Sequence, residues 1–276
     1  MRRVKLAILH MLPQRWLSRQ SGRWAASKWS RRAIPWFIRR YNVAVEEAEK
    51  TWQEYGSLAD FFCRRLKPGL RPICVDSEAI ASPVDAQVSQ MGTASAGRLI
   101  QAKGINYSLE QLLGDRTKAE SFAGGEFVTL YLSPRDYHRI HAPLKGRVSG
   151  YAYWPGRLYP VNDLGVHGVP GLFARNERLI TYLQTDVGQV AVVKVGAMMV
   201  GSVRVTYSNV VSNRRKPAQL VSLEKGPELE KGEEVGFFQF GSTVILLFEP
   251  GAIRWREDLT TGTTLKMGEM IAQKII

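Results

Sequence analysis

The sequence predicts an α+β fold, a β-rich and mainly antiparallel domain preceded by short amphipathic N-terminal helices. Three observations carry this expectation. After residue 80, short runs rich in Val and aromatics alternate with Gly, Pro, Asn and Asp, the texture of antiparallel strands. The first 40 residues hold 11 Lys or Arg and no Asp or Glu, interleaved with Trp, Leu and Ile. Hydrophobic residues make up 45% of the 276, enough for a packed core and too many for a disordered chain. A chain of this length holds one large domain, or one domain with an appendage. The boundary is placed between a basic segment, 1–42, and a folded domain, 43–276.

The basic segment carries most of the charge. The formal net charge is +13, and removing the 11 cations of the first 40 residues leaves +2 (13 − 11) on the rest. Trp16, Trp24, Trp29, Trp36 and several Leu alternate with Arg, the pattern of helices lying in a lipid headgroup layer. Each cation near an anionic leaflet is worth about 1 kcal/mol. Pro13 and Pro35 divide the segment into two or three short helices. Two other readings stay open: the tryptophans pack on the folded domain, or the segment is an Arg-rich organellar presequence. A secretory signal fits less well, because the apolar stretch 7–12 is short, contains His10 and runs into Pro13. A nucleic-acid partner is not expected, since no binding module is recognisable and the basicity is confined to one end. No run approaches the ~18 apolar residues of a spanning helix.

Acidic residues begin at Glu46. Residues 43–55 read as a helix with a mixed surface. Ser57-Leu58-Ala59-Asp60 reads as a capping box opening a short helix through Leu66, and Pro68-Gly69 and Pro72 end helical structure. Strands are expected at 86–91, 127–132, 147–153, 179–184, 190–195, 198–207 and 243–248, with one helix at 108–113 stopped by Gly114. Asn213-Arg214-Arg215-Lys216-Pro217 reads as a basic surface loop. Cys63 and Cys74 fit a reduced compartment, with Cys63 a small buried residue in an apolar stretch.

Three segments carry the parts of an activated-nucleophile site. Gly241-Ser242-Thr243 sits between Phe240 and a run of apolar residues, at a bend between or within buried strands. Glycine permits backbone shapes that other residues resist, and a strained peptide bond ahead of a hydroxyl suits an intramolecular acyl shift. Asp136-Tyr137-His138-Arg139-Ile140-His141-Ala142-Pro143 holds two of the four histidines. Pro134 and Pro143 argue against a helix there, and in an extended segment His138 and His141 face opposite ways, so they do different jobs unless a turn intervenes. Ser82-Pro83-Val84-Asp85 adds an aspartate on a turn. Each piece also has a plain structural reading: a loop tripeptide, hydrogen-bonded core histidines, a turn-capping aspartate. His167 reads as an ordinary loop histidine. A metal-dependent hydrolase using Asp85, His138 and His141 is the rival enzyme, although no helical His-x-x-x-His spacing is present. A non-catalytic membrane adaptor is the rival from another class.

Taken together, the residues resemble a known family. Phe240-Gly241-Ser242-Thr243, the run 131–143, Ser82-Pro83-Val84-Asp85, Ala102-Lys103-Gly104-Ile105-Asn106-Tyr107-Ser108, Phe173-Ala174-Arg175-Asn176-Glu177-Arg178, and Phe61-Phe62 with Arg71-Pro72 look, in order, like the phosphatidylserine decarboxylases. The resemblance covers residues 45–276. It implies a proenzyme that cuts itself between Gly241 and Ser242 into a β chain, 1–241, and an α chain, 242–276. Ser242 becomes a covalent pyruvoyl group, the only cofactor implied, with no metal. Asp85, His141 and Ser242 are then the autocleavage triad, and His138 is the candidate for proton handling during decarboxylation. The implied reaction converts phosphatidylserine to phosphatidylethanolamine and CO2 through a Schiff base. Tyr137 and Asn162 are taken as substrate contacts. The implied partners are an anionic phospholipid membrane, the α and β chains of one precursor, and a second copy in a homodimer. The implied place is the cytoplasmic face of a bacterial inner membrane, with the mitochondrial inner membrane as the alternative. One departure is local: Ala86-Gln87 follows the aspartate where the family has a Gly-rich turn.

Overall fold

In the computed structural model, residues 13–102, 105–198, 202–213, 217–239 and 243–275 are described. The N-terminal helices are α1 (Gln14–Ala25), a 3-10 turn (Lys28–Ala33) and α2 (Ile34–Tyr41), with Pro35 in the first turn of α2, where its missing N–H costs nothing. The remaining helices are short: α3 (Leu58–Phe62), α4 (Leu109–Leu113), α5 (Arg116–Ser121), α6 (Asp163–Val166) and α7 (Leu172–Arg175). The first strands are β1 (Ala79–Ala81), β2 (Ala86–Thr93), β3 (Arg98–Ala102), β4 (Ile105–Ser108), β5 (Glu126–Tyr131), β6 (Arg139–His141), β7 (Gly146–Trp154), β8 (Arg178–Thr185) and β9 (Gly188–Val195). The later ones are β10 (Val203–Val205), β11 (Gln219–Ser222), β12 (Glu228–Leu229), β13 (Glu234–Phe238), β14 (Thr243–Phe248), β15 (Ile253–Trp255), β16 (Thr264–Leu265) and β17 (Met270–Lys274). The expected α+β, mainly antiparallel class is what the chain adopts.

Among the described residues, one large antiparallel sheet runs β11-β7-β8-β9-β14-β5-β2-β16, with β12 also on β7. β14 lies between β5 and β9, with Thr243 opposite both Tyr131 and Val195. Every residue of β14 is buried, which explains why it reads as an unbroken apolar run rather than an alternating one. Its alternate side chains enter two cores. Val244, Leu246 and Phe248 meet Val128, Leu130 and Val192 on one face. That face is covered by two small sheets, β1-β17-β15 and β10-β13-β6. Ile245 and Leu247 join the other core with Leu112, Phe173 and Tyr107, under α4, α7 and the β3-β4 hairpin.

A third cluster joins the N-terminal helices to the rest. Ile34 and Phe37 of α2 pack with Tyr55, Leu58, Phe61 and Phe62. Ser30, fully buried, accepts the Leu58 amide at 2.9 Å and so ties the 3-10 turn to the start of α3. α1 is amphipathic in an inverted sense. Its inward face is Gln14, Ser18 and Ala25, spaced to share one side of a helix, and Gln14 Oε1 accepts the Leu158 amide at 3.1 Å. The indoles point outward: Trp16, Trp24, Trp29 and Trp36 are 55%, 53%, 71% and 54% exposed. The packing of this segment on the domain is carried instead by Ile34, Phe37 and the inward face of α1, while Trp24 and Trp36 also border the groove between the helices and the domain. No helix among the described residues is long and apolar enough to cross a membrane.

Several expectations fail locally, for identifiable reasons. Residues 43–55 form two 3-10 turns, Val45–Glu47 and Trp52–Glu54, instead of a helix. The backbone between them bonds elsewhere: Glu49 N–H donates to Arg65 O, and Lys67 N–H to Glu47 O, both at 2.9 Å. Thr51 and Glu54 form their own capping box, which restarts the chain. The same pairing of 47–49 with 65–67 stops α3 at Phe62 rather than Leu66. Within 198–207 the strand is only Val203–Val205, and residues 199–201 lie outside the described residues. So do His10, Lys103, Gly104 and the Arg214, Arg215 and Lys216 of the basic loop. The helix at 108–113 forms as expected, with Ser108 as N-cap and Gly114 in the left-handed region (φ 67). α5 follows immediately, capped by Asp115, a signal passed over in the sequence.

Candidate active site

The turn before β2 and the strand β6 are stitched together by backbone bonds. His141 N–H donates to Pro83 O at 2.9 Å, and Ala81 N–H to Pro143 O at 2.8 Å. This brings Asp85, His138 and His141 into one buried region, with exposures of 2%, 1% and 9%. Gly241 and Ser242 lie outside the described residues.

Each imidazole has its Nδ1 against a carbonyl. His141 Nδ1 lies 2.7 Å from Gly232 O, and His138 Nδ1 lies 2.8 Å from Asp136 O. A carbonyl only accepts, so in both rings Nδ1 carries the proton and Nε2 keeps the lone pair. His141 Nε2 then accepts from Tyr137 Oη at 3.1 Å, and the two rings stack with centroids 5.6 Å apart. His138 Nε2 is buried and has no hydrogen-bond partner among the described residues. Burial pushes the His138 imidazolium down to about 3 and also lowers His141. Both rings are therefore neutral bases at physiological pH. Burial pushes the Tyr137 hydroxyl up to about 12, keeping it a donor.

Asp85 is held by cations and an amide. Arg71 grips it in a fork, Nε to Oδ1 at 2.9 Å and Nη2 to Oδ2 at 2.6 Å. The Met267 amide donates to Oδ1 at 2.8 Å and Lys266 Nζ reaches Oδ2 at 3.4 Å. Arg71 also bonds Glu47 Oε2 at 2.6 Å. Among the described residues no hydrogen bond joins Asp85 to either imidazole; its negative charge nevertheless favours protonation of both. The partner expected for the His141 ring N–H was Asp85, and in the structure that place is taken by Gly232 O. No group of three or more His, Cys, Asp or Glu is placed to hold a metal among the described residues.

The other assigned residues fall nearby. Asn162 caps α6 and borders a groove of about 400 Å³ whose walls include Trp24, Trp36, Phe62, Leu132 and Pro134. The groove runs between the N-terminal helices and the domain. Its Phe62 wall packs against His138, with ring centroids 4.0 Å apart and the rings tilted by 47°. His167 is exposed and closes α6 by bonding Asp163 O, as an ordinary loop histidine does. Cys63 is buried; its thiol donates to Phe238 O at 3.3 Å, and burial pushes it up to about 12. Arg71, Gly232 and Phe62 escaped the sequence reading as site residues. Arg71 and Phe62 left a signal in the Phe61-Phe62 and Arg71-Pro72 segments of the resemblance, and Arg71 a second one as a cation confined between Pro68-Gly69 and Pro72.

A family model described as phosphatidylserine decarboxylase matches residues 58–273. The chain belongs to the phosphatidylserine decarboxylase family. A second family model, described as PSD, matches residues 4–42. Among curated relatives, the phosphatidylserine decarboxylase proenzyme of Brevibacillus brevis is 48% identical over 270 residues, covering 97% of this chain and 96% of the relative. The proenzyme of the same name from Myxococcus xanthus is 48% identical over 235 residues, 85% and 84% of the two chains. That of Anaeromyxobacter sp. is 46% identical over 274 residues, 97% of each. A member of the phosphatidylserine decarboxylase family is an enzyme of the lyase class, and its relatives are named as proenzymes. Asp85, His138, His141 and Ser242 all fall inside the matched range.

Proposed function

We propose that the chain cuts itself between Gly241 and Ser242 and then decarboxylates phosphatidylserine to phosphatidylethanolamine and CO2. The observation that carries the reading is the pair of buried neutral imidazoles, each with its Nδ1–H held by a carbonyl and its Nε2 lone pair left as the base. In the cut, His141 Nε2 takes the Ser242 hydroxyl proton and the oxygen attacks the Gly241 carbonyl carbon. The peptide C–N bond breaks as an ester forms, elimination frees the Gly241 carboxylate, and hydrolysis releases ammonia and leaves a pyruvoyl group on residue 242. The β chain is then 1–241 and the α chain 242–276. Asp85, the third member of the triad, acts on His141 as a nearby negative charge. Tyr137 Oη must swing away from His141 Nε2 before that nitrogen accepts a proton.

The residues present suit a pyruvoyl group on one count. Phe238 N–H donates to His138 O at 3.0 Å, so the His138 backbone is bonded to the chain four residues before 242, and His138 Nε2 has no hydrogen-bond partner among the described residues. A pyruvoyl carbonyl supplies an electron sink for the pair left behind by departing CO2. His138 Nε2 is the atom that carries the proton to the substrate carbon. Phe62 and the groove beside it exclude water from that nitrogen and receive the glycerol end of the lipid, with Asn162 at its rim; Tyr137 would meet the substrate from its place beside His141. Phenylhydrazine is expected to label the 242–276 fragment and no other part of the protein. An unlabelled fragment in a preparation that releases CO2 from phosphatidylserine would remove the pyruvoyl from the reading.

The N-terminal segment is read as the membrane face of a peripheral protein, on the cytoplasmic side of a bacterial inner membrane, with a homodimer as the working assembly. Four outward indoles and a groove of about 670 Å³ lined by Lys28, Arg31, Arg32, Trp29 and Trp52 support it. At about 1 kcal/mol for each half-exposed indole, changing Trp16, Trp24, Trp29 and Trp36 together to Ser is expected to weaken binding to phosphatidylglycerol vesicles about 1000-fold. Co-sedimentation measures it, and unchanged binding would discard the anchor. The fold does not depend on these side chains, because the inward faces of α1 and α2 are untouched.

A further inference from the structure

Three consecutive residues at the end of α3, Phe62 to Arg64, grip the segment that carries His138. The Phe62 ring lies over the imidazole at 4.0 Å, Cys63 O accepts Arg139 Nε at 3.0 Å, and Arg64 Nη2 donates to Arg135 O at 2.7 Å and Asp136 O at 3.3 Å. Asp136 O is the same carbonyl that accepts His138 Nδ1–H at 2.8 Å. We propose that Arg64 is a positioning residue for His138, holding the Asp136 carbonyl in the one orientation that fixes the Nδ1–H tautomer and leaves Nε2 bare.

The proposal rests on a guanidinium kept where packing alone would not keep it. Arg64 is 3% exposed, and its Nε and Nη1 have no hydrogen-bond partner among the described residues. No carboxylate lies within 4.0 Å of it in that set; its close aromatic contact is Phe61, at 5.3 Å. Burying a cation without a counter-ion costs several kcal/mol. A neutral side chain would fill the space without that penalty. The one nitrogen Nη2 of Arg64 supplies a two-carbonyl grip next to the imidazole, held in the fixed plane of a permanently charged group that adds a positive field. The charged groups that act on His138 are Arg64 and Asp85, with Asp136 contributing through its carbonyl. Burial is the larger cause of the ring's neutrality. Arg64 adds to it, because a second proton on the ring would sit beside a guanidinium, whereas Asp85 works against it.

The mechanistic weight of this device rests on His138 as the proton carrier, but its test does not. Imidazole ¹⁵N spectra of the full-length wild type, Arg64→Lys and Arg64→Met are recorded between pH 4 and 8. In the wild type His138 is expected as a single tautomer, protonated at Nδ1, with no titration in this range. Arg64→Met is expected to give mixed tautomers and to bring the onset of the His138 titration into this range, since a positive neighbour is lost. Arg64→Lys keeps the charge without the planar group that fixes Nη2 against both carbonyls, so the midpoint should stay low while the second tautomer appears, and kcat should fall with KM unchanged. If Arg64→Met melts earlier but leaves the His138 resonances and their titration as in the wild type, Arg64 is merely structural and the proposal fails. Should Arg64→Met not fold, Arg64→Lys decides: a single unchanged tautomer overturns the proposal, and mixed tautomers uphold it.

Discussion

Ser242→Ala is expected to migrate as one uncut polypeptide of 276 residues and to release no CO2 from phosphatidylserine. The methyl side chain offers no oxygen to attack the Gly241 carbonyl, so neither the ester nor the later ketone forms. Loss of a nucleophile acting with its base removes roughly 10⁴- to 10⁶-fold in rate. Here the loss is compounded, because the residue that cuts is also the one that becomes the cofactor. Intact-mass spectrometry reads the first consequence and labelled-CO2 release the second. An uncleaved variant that still turned over substrate would exclude self-processing. His141→Gln is the companion change, since it removes the base and keeps a side chain of similar reach.

The second large effect belongs to Asp85→Ala. Arg71 has 7% side-chain exposure and is forked onto Asp85, whose own side chain is 3% exposed. Removing one partner of a buried pair leaves the other charge uncompensated, at a cost of about 3–5 kcal/mol. Glu47 stays bonded to Arg71, which places the effect near the lower end, about 3 kcal/mol. In a domain of this size that lowers the melting temperature by roughly 6–12 °C. Asp85→Asn still accepts from the Met267 amide and should lose less. Scanning calorimetry on Asp85→Ala, Asp85→Asn and Arg71→Met separates the two roles of this carboxylate. Equal melting losses in Asp85→Ala and Arg71→Met, with scission stopped only when Asp85 is changed, assign it both jobs. A melting temperature equal to wild type in Asp85→Ala would mean that the pair contributes nothing to stability.

The long strands were legible because each is an apolar run of the right length between turn residues. β5, β8, β9 and β14 begin and end within one or two residues of the expected positions. Short strands such as β1, β6 and β16 were not legible. Two or three residues carry no period, and only their tertiary partners make them strands. The segment 43–55 misled for a related reason. Its charges and apolar residues suit a helix locally, while its backbone is claimed by residues 65–67. At the site, residue types could be read and partners could not. Asp85, His138 and His141 stand out by chemistry. That Arg71 holds Asp85, that Gly232 holds His141, and that an indole-bearing helix faces outward with Gln14 and Ser18 beneath it are facts of three-dimensional packing.

The position of β14 also sets the order of events that the proposed self-cleavage would require. This strand is the link between β5 and β9; of the strands that follow it, β16 closes the far edge of the same sheet on β2, and β15 and β17 complete the small sheet with β1. A polypeptide stopping at residue 241 would be left with a gap in mid-sheet and two open edges of buried apolar residues. The C-terminal piece alone has no sheet to enter. Under the proposed self-cleavage, scission would therefore follow folding, and the halves, once separated in denaturant or synthesised from separate messages, would have no independent native state to return to.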